Sequence, residues 1–495
     1  MTGERETAPQ PPSANRPPPE GVTPRYGIDE MPPLGTAIVL GIQHVLVMMA
    51  SNVTIPIILA TAIGATTGET AFLVQVALLV AGITTLMQTI GFGPVGSRLP
   101  IVQGTSFGFL VVAIPLAQQY GIAAVLGGAI FAGLVQVVLG FSLRWLRALF
   151  PPLVSGIVVL VIGIGLLPTG MALYAGGNGA EDFGSWTNLG LATLVLVVML
   201  VLYRFGKGII GAASVLIALV VGYLVAIPLG LVDFSQVAEA DWFAIPMPLR
   251  FGLDFPSAAI IGMGAMAIAT SVETIGDLSA ITKSGAGREV TDRELSGGVI
   301  ADGVATAFAS IFSALPNTSF GQNVGLVAFT GVMSRHVVSI GAGFLILLGL
   351  LPKFAAVIAV MPSAVIGGAA VVMFGMLIGA GIKLLAETAL DRHDMLVIAV
   401  SIGVGQGFAA VPAAVGGMPE TLEVLLVSGI VPAALFAVVM NLSRPGPAQG
   451  AVLDIDVPLE QPLAEPGRPD GPGHPDEPGH PDARQPGRRG HGDPG

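Results

Sequence analysis

Residues 317–321 read Asn317-Thr318-Ser319-Phe320-Gly321, and a polar run follows them inside an otherwise apolar chain. A near-copy, Gly104-Thr105-Ser106-Phe107-Gly108, stands 213 positions earlier and shares four of the five letters. Thr-Ser-Phe-Gly is a poor continuation for a long helix. The threonine is β-branched, the serine competes for backbone hydrogen bonds, and the glycine is costly to order. Extended backbone at membrane depth is tolerated only where it is buried in protein or lines a cavity. The two stretches are therefore expected to be extended and able to pair with each other. Each would start a half-helix whose N-terminal N–H groups point at the cavity. Free donors there suit the carbonyl oxygens of a ligand. The plainer alternative is helix packing through small residues.

The surrounding composition demands a bilayer. The chain has 495 residues, of which 53% are hydrophobic and 11% charged, and its mean hydropathy is +0.81. Soluble domains carry about 25% charged residues, so a soluble globular protein is excluded. A net charge of −11 argues against a nucleic-acid partner. The absence of cysteine removes disulfides, thiolate zinc sites and cysteine nucleophiles. Fourteen apolar runs are expected to span, at 34–59, 70–92, 99–117, 121–141, 151–173, 189–203, 209–231, 257–277, 294–313, 316–333, 336–352, 361–385, 394–409 and 423–441. The near-copies fall in the third and tenth runs. Seven is an odd separation, so the two halves would insert with opposite orientation, the inverted-repeat plan of secondary transporters.

The expected fold is therefore all-α and polytopic, with short extended stretches in spans 3 and 10. Residues 1–33 and 444–495 are Pro-rich and read as disordered tails. The second tail carries Gly-His-Pro-Asp at 473–476 and at 479–482, with His474, His480 and His491, and reads as solvated sequence rather than a metal site. No signal-peptide pattern precedes the first run, so that run is expected to stay as an anchor. With both tails inside, nineteen of the 21 Lys and Arg residues fall on the cytoplasmic side, and only Arg250 and Lys353 fall outside.

Ionisable groups within spans are expensive and usually functional. Glu273 and Asp277 lie in the eighth run at i, i+4, on one helix face. Asp302 lies in the ninth, His44 beside Gln43 in the first, and Asn317, Gln322 and Asn323 in the tenth. A carboxylate in a low dielectric favours its neutral form unless a cation pairs with it. Glu273, Asp277 and Asp302 are therefore expected to bind a proton, with sodium as the alternative, and to couple that cation to transport; bracing of helices is the competing role. His44 reads equally well as a bridge between helices. A carboxylate for N–H groups, an amide for a C=O/N–H edge, backbone donors and a phenylalanine face describe a site for a nucleobase-like heterocycle.

Gln322-Asn323-Val324-Gly325-Leu326-Val327-Ala328-Phe329-Thr330-Gly331 resembles the motif [Q/E/P]-N-x-G-x-x-x-x-T-[R/K/G] of the nucleobase–ascorbate transporter family at every fixed place. Gln43-His44, Glu273-Thr274-Ile275-Gly276-Asp277 and Ala301-Asp302-Gly303 agree in order, and the likeness covers about residues 34–441. The resemblance implies a seven-plus-seven repeat. Its core would take residues 34–150 and 257–355, and its gate 151–256 and 356–443. It also implies a homodimer and an elevator-like movement of core against gate. It further implies that Glu273 and Gln322 bind the base, that Phe107 stacks on it, and that backbone at Phe107 and Gly321 donates to its oxygens, with Ser106 and Asn323 alongside. Asp277 and Asp302 resemble the proton network, and Asn323 and His44 resemble supports of the site. Glutamine at the motif's first place, and Asp277 rather than histidine four places after Glu273, are similar to the xanthine and uric acid permease type rather than the uracil type.

Three other readings compete: a uracil or wider nucleobase symporter, an anion exchanger of the same fold, and a membrane serine hydrolase. The anion exchanger would want a basic group at the site. The hydrolase is suggested by Gly104-Thr105-Ser106-Phe107-Gly108 fitting G-x-S-x-G, but that elbow needs a histidine and an acid close by. The chain is thus expected to be no enzyme, to need no cofactor beyond its coupling ion, and to sit in a bacterial inner membrane with both termini cytoplasmic.

Overall fold

The computed structural model describes residues 24–146, 151–386 and 388–444. The histidine-bearing tail and most of residues 1–33 lie outside them. In chain order the elements are α1 (Leu34–Ala62), α2 (Thr67–Ile90), β1 (Gln103–Thr105), α3 (Phe107–Tyr120), α4 (Ile122–Leu146), α5 (Pro152–Tyr174) and α6 (Trp186–Phe205). Next come α7 (Ile209–Ala212), α8 (Ser214–Ala226), α9 (Ser235–Glu239), α10 (Ser257–Ala286), α11 (Asp292–Ile311), β2 (Asn317–Ser319) and α12 (Gly321–Thr330). The last are α13 (Arg335–Gly349), α14 (Pro352–Ala359), α15 (Ser363–Ala386), α16 (Arg392–Ala410), α17 (Glu420–Val427) and α18 (Ile430–Leu442).

Every expected apolar run contains a helix, but the runs are not fourteen uniform helices. Among the described residues, eight helices are long and apolar enough to cross a membrane. The count reaches 10 if two sharply bent pairs, α13–α14 at 81° and α17–α18 at 80°, each make one span. The runs at 99–117 and 316–333 are strand followed by helix. At 1.5 Å per residue the ten-residue α12 is about 15 Å long, half of a hydrocarbon core of about 30 Å.

Local chemistry sets the ends. Thr66 with Glu69 and Thr291 with Glu294 form capping boxes at the starts of α2 and α11. α10 runs past the expected 277 to Ala286, where Gly287 stops it in the left-handed conformation. Small residues set how closely helices cross. A Cβ on Gly133 of α4 would lie 2.5 Å from the Gly303 carbonyl of α11, and a Cβ on Gly303 would lie 2.5 Å from the Gly133 carbonyl. The most extensive packing joins the two halves of the chain: α5 with α15, α4 with α11 and α10, and α13 with α2 and α1.

One tail boundary needs correction. Residues 24–33, expected within the N-terminal tail, are ordered, and Tyr26 bridges to Val332. The chain just after α12 presents free backbone groups, and this segment satisfies them.

Candidate functional site

The paired strands organise the site. β1 and β2 run antiparallel, with Gln103 opposite Ser319, Gly104 opposite Thr318 and Thr105 opposite Asn317. Two further bonds extend the pairing, from Ser106 N to Pro316 O at 2.9 Å and from Phe320 N to Val102 O at 3.0 Å. The backbone groups of both breaks thus satisfy each other, as extended chain at membrane depth requires. Gly104 makes the pairing possible. A Cβ there would sit 2.6 Å from the Phe320 ring and 2.8 Å from both Asn52 and Met48. Asn52 also steadies the strand, because its Oδ1 accepts from Thr105 N at 2.8 Å.

The strands deliver α3 and α12 with their N-termini beside α10. The Asp277 carboxylate stands at the start of α12, where a Cβ on Gly321 would lie 2.9 Å from its Oδ1. Ser319 donates to Asp277 Oδ2 at 2.7 Å, and its Oγ lies 3.2 Å from Thr274 Oγ1. Thr274 donates to Asp302 Oδ2 in turn. Asp302 is fully buried, and its Oδ1 accepts from the Gln103 amide and, at 3.0 Å, from the Gln88 amide. A continuous chain of polar contacts therefore runs from Asp277 through Ser319, Thr274 and Asp302 to Gln103. It ties α10, α11 and α2 to both strands.

A second polar contact lies on the other side of α12. Asn323 Nδ2 donates to His44 Nδ1 at 3.1 Å and to the His44 carbonyl at 3.3 Å, joining α12 to α1. The Phe107 ring, at the start of α3, stands edge-on to Phe374 of α15, with centroids 5.7 Å apart and an interplanar angle of 87°.

Two expected site residues are not engaged by the protein. Glu273 and Gln322 are half-buried, and neither side chain hydrogen-bonds to a described residue. No Lys or Arg among the described residues pairs with Glu273, Asp277 or Asp302. Four buried polar atoms around the strands also lack partners: Gln103 Oε1, Thr105 Oγ1, Ser106 Oγ and Asn323 Oδ1. Buried polar groups are normally satisfied, so these four are exceptions to that rule beside the strands. A cavity of about 520 Å³ elsewhere, lined by residues such as Phe72, Gln75, Asp241 and Arg250, contains none of these residues.

The structure thus brings Asp277 and Asp302 into one network and His44 and Asn323 into one contact. Sequence reasoning missed Gln88, Gln103, Thr274 and Ser319 as the partners that bind the carboxylates. Gln88 and Gln103 are polar residues within apolar runs, but a lone amide in a run does not say what it partners.

Comparison with known proteins identifies the family. A family model described as "Permease family", for xanthine and uric acid permeases, matches residues 35–414. The chain is 38% identical to the xanthine permease of Bacillus subtilis over 410 residues, covering 82% of this chain and 93% of the relative. It is 39% identical to the uric acid permease PucJ of the same organism, covering 81% and 91%. It is 36% identical to the uric acid transporter UacT of Escherichia coli, covering 84% and 87%. Among solved structures, the transmembrane domain of the cyanobacterial bicarbonate transporter BicA superposes with a TM-score of 0.51 at 15% identity, covering 82% of this chain and 97% of that one. SLC26A9 superposes at 0.56 and 13% identity, covering 83% and 66%. Those two likenesses are of fold. By the family model and these relatives together, the chain belongs to the xanthine/uric acid permease family.

Proposed function

We propose that this protein is a secondary active transporter that takes up an oxidised purine, xanthine or uric acid, together with a proton. One observation carries the reading. Glu273 and Gln322 are polar, half-buried and without protein hydrogen bonds, on helices that pack together beside paired strands with orphaned polar atoms. A carboxylate accepts from ring N–H groups, and an amide meets a C=O/N–H edge from both sides. The N-terminal N–H groups of α3 and α12 are suited to the remaining carbonyls. The Phe107 ring offers a face or edge to the heterocycle. An anion carrier of this fold would want a cation near the site, and Glu273, Asp277 and Asp302 have none.

The three carboxylates supply the coupling. With no basic partner, their charge must be offset by hydrogen bonds, by substrate N–H groups or by an entering cation. The Asp277–Ser319–Thr274–Asp302–Gln103 chain links those carboxylates to both strands, so a proton bound in it changes contacts on both sides of the site.

Fourteen crossings in two inverted halves explain the packing pattern. Exchange of the halves turns the α2–α13 contact into α11–α4, turns α1–α13 into α10–α4, and maps α5–α15 onto itself; these are the most extensive contacts in the fold. On this plan α1–α4 and α10–α13 form a core that moves against a gate built around α5 and α15, in an elevator-like cycle within a homodimer. The setting is a bacterial inner membrane with both termini inside.

The test is uptake of labelled xanthine into cells or proteoliposomes, with unlabelled uric acid, uracil, guanine or ascorbate as competitors, at two external pH values, with and without sodium. The expected result is uptake that is stronger at acid pH, indifferent to sodium and competed by uric acid but not by uracil. Uptake of uracil, with xanthine neither entering nor competing, would overturn the purine assignment. Dependence on sodium alone would overturn the proton.

A further inference from the structure

The segment Arg25–Glu30 does more than lead into α1. It lies beside residues 331–335, immediately after α12. Gly331 O accepts from Arg25 N at 2.7 Å and from Tyr26 N at 3.3 Å, Met333 N donates to Tyr26 O at 2.9 Å, and Arg335 N donates to Ile28 O at 3.0 Å. Ser334 Oγ donates to the Glu30 carbonyl at 2.5 Å. Arg335 pairs with Asp29 at 2.6 Å and reaches the Thr89 carbonyl, at the end of α2, at 3.0 Å. Gly331 suits this clasp: it is left-handed at φ 68°, and a Cβ there would meet Arg25 N at 3.2 Å.

The side chains anchor the segment at two places. Tyr26 packs on the cluster of Ala37, Val332 and Val337, which joins the start of α1 to the chain just after α12 and to α13. Ile28 packs on the cluster that holds Leu278, Ile281, Val327 and Met333, with Val324 at its margin. Leu278 follows Asp277 directly, and Val324 follows Asn323 directly. The same helices carry Glu273 and Gln322 a short distance further along. α12 has ten residues, few of them buried, so its own core contacts are sparse and it needs a brace at its far end.

We propose that Arg25–Glu30 is a positioning strap, in which Tyr26 anchors the segment to the chain just after α12 and Ile28 packs where α12 meets α10, so that Gln322 and Glu273 keep the separation their ligand requires. The strap touches no substrate. It acts by fixing the register of two ligand-bearing helices. This inference rests on the purine-uptake reading for the choice of assay.

The experiment compares initial rates of labelled xanthine uptake by the full-length wild type and the variants Tyr26→Ala, Ile28→Ala, Ile28→Val and Asp29→Ala, with the amount of each in the membrane measured in parallel. Tyr26→Ala and Ile28→Ala should raise KM about five-fold at a maximal rate per molecule near the wild type, the size expected for a coupling through packed side chains. Ile28→Val should restore the wild-type KM. Asp29→Ala should raise KM about two-fold or less, because the ion pair is exposed. An unchanged KM, with only the amount of protein reduced, would reduce the strap to a folding element and overturn the proposal. If Ile28→Ala does not reach the membrane, Tyr26→Ala decides by the same criterion. Lack of xanthine uptake by the wild type itself strikes the purine reading alone, and the strap is then assayed with whichever competitor the wild type carries.

Discussion

The two copies of Thr-Ser-Phe-Gly share letters and a partner, yet they do different work. In the first, Ser106 is the residue before α3, its hydroxyl has no partner, and Phe107 starts the helix facing Phe374 of α15. In the second the helix begins one letter later. Ser319 lies in β2 with its hydroxyl on Asp277 and Thr274, and Phe320 lies over Gly104. The first break therefore presents a ring and free donors toward the expected gate. The second binds carboxylates and carries Gln322 and Asn323. A repeated backbone device has been assigned two roles by its surroundings.

The sharpest test removes the unengaged carboxylate of α10, which lies one turn before the Asp277 that the second break binds. Glu273→Gln should abolish uptake, by about 100-fold or more, while the protein still reaches the membrane, because on the proposed reading the carboxylate that accepts from the base is lost. Wild-type uptake in that variant would remove Glu273 from the site.

The serines test the asymmetry itself. Ser319→Ala leaves Asp277 Oδ2 without its donor, and loss of a buried partner costs about 1–3 kcal/mol, so kcat/KM for uptake should fall about ten-fold or more. Ser106→Ala removes a hydroxyl that no protein group uses and should change uptake less than Ser319→Ala does. Equal losses would mean that the hydrogen-bond difference between the two copies is not functional.

Thermal unfolding in detergent then separates packing from ligand binding. Gly104→Ala drives a Cβ into Phe320, Asn52 and Met48 and should destabilise the protein by about 1–3 kcal/mol. Gly321→Ala meets the Asp277 carboxylate first, 2.9 Å from its Oδ1, and should depress uptake more than melting temperature. The reverse order would exchange the roles assigned to the two glycines.

The smallest effect is at the ring pair. A double-mutant cycle with Phe107→Leu and Phe374→Leu, read as stability, should give a coupling of about 0.5–1.5 kcal/mol. Additive losses would show that the edge-on contact contributes nothing specific.

Much of this was legible without coordinates. The repeated pentapeptide predicts paired extended stretches followed by half-helices, because extended backbone inside a membrane must find internal partners. Glu273, Asp277, Asp302 and the Gln322–Gly331 motif stand out because polar groups in apolar runs need a purpose. Gln88 and Gln103 did not stand out. A single amide is unremarkable until the fold sets it against Asp302, over 200 positions from Gln88. The ordering of residues 24–30 was equally hidden, since its partners at 331–335 are remote in the chain and the contacts are mostly between backbone groups.

The sequence by itself determined the apolar helical architecture, the two places where it breaks, the residue types at those breaks and the family to which they belong. These follow from hydropathy, local helix chemistry and fixed spacing, which act over a few residues. Only the tertiary structure decided which serine meets a carboxylate, which amides hold Asp302, and that the strap before α1 closes on the end of α12. Those choices depend on distances between side chains far apart in the chain, and hydrogen bonds are made or lost within an ångström.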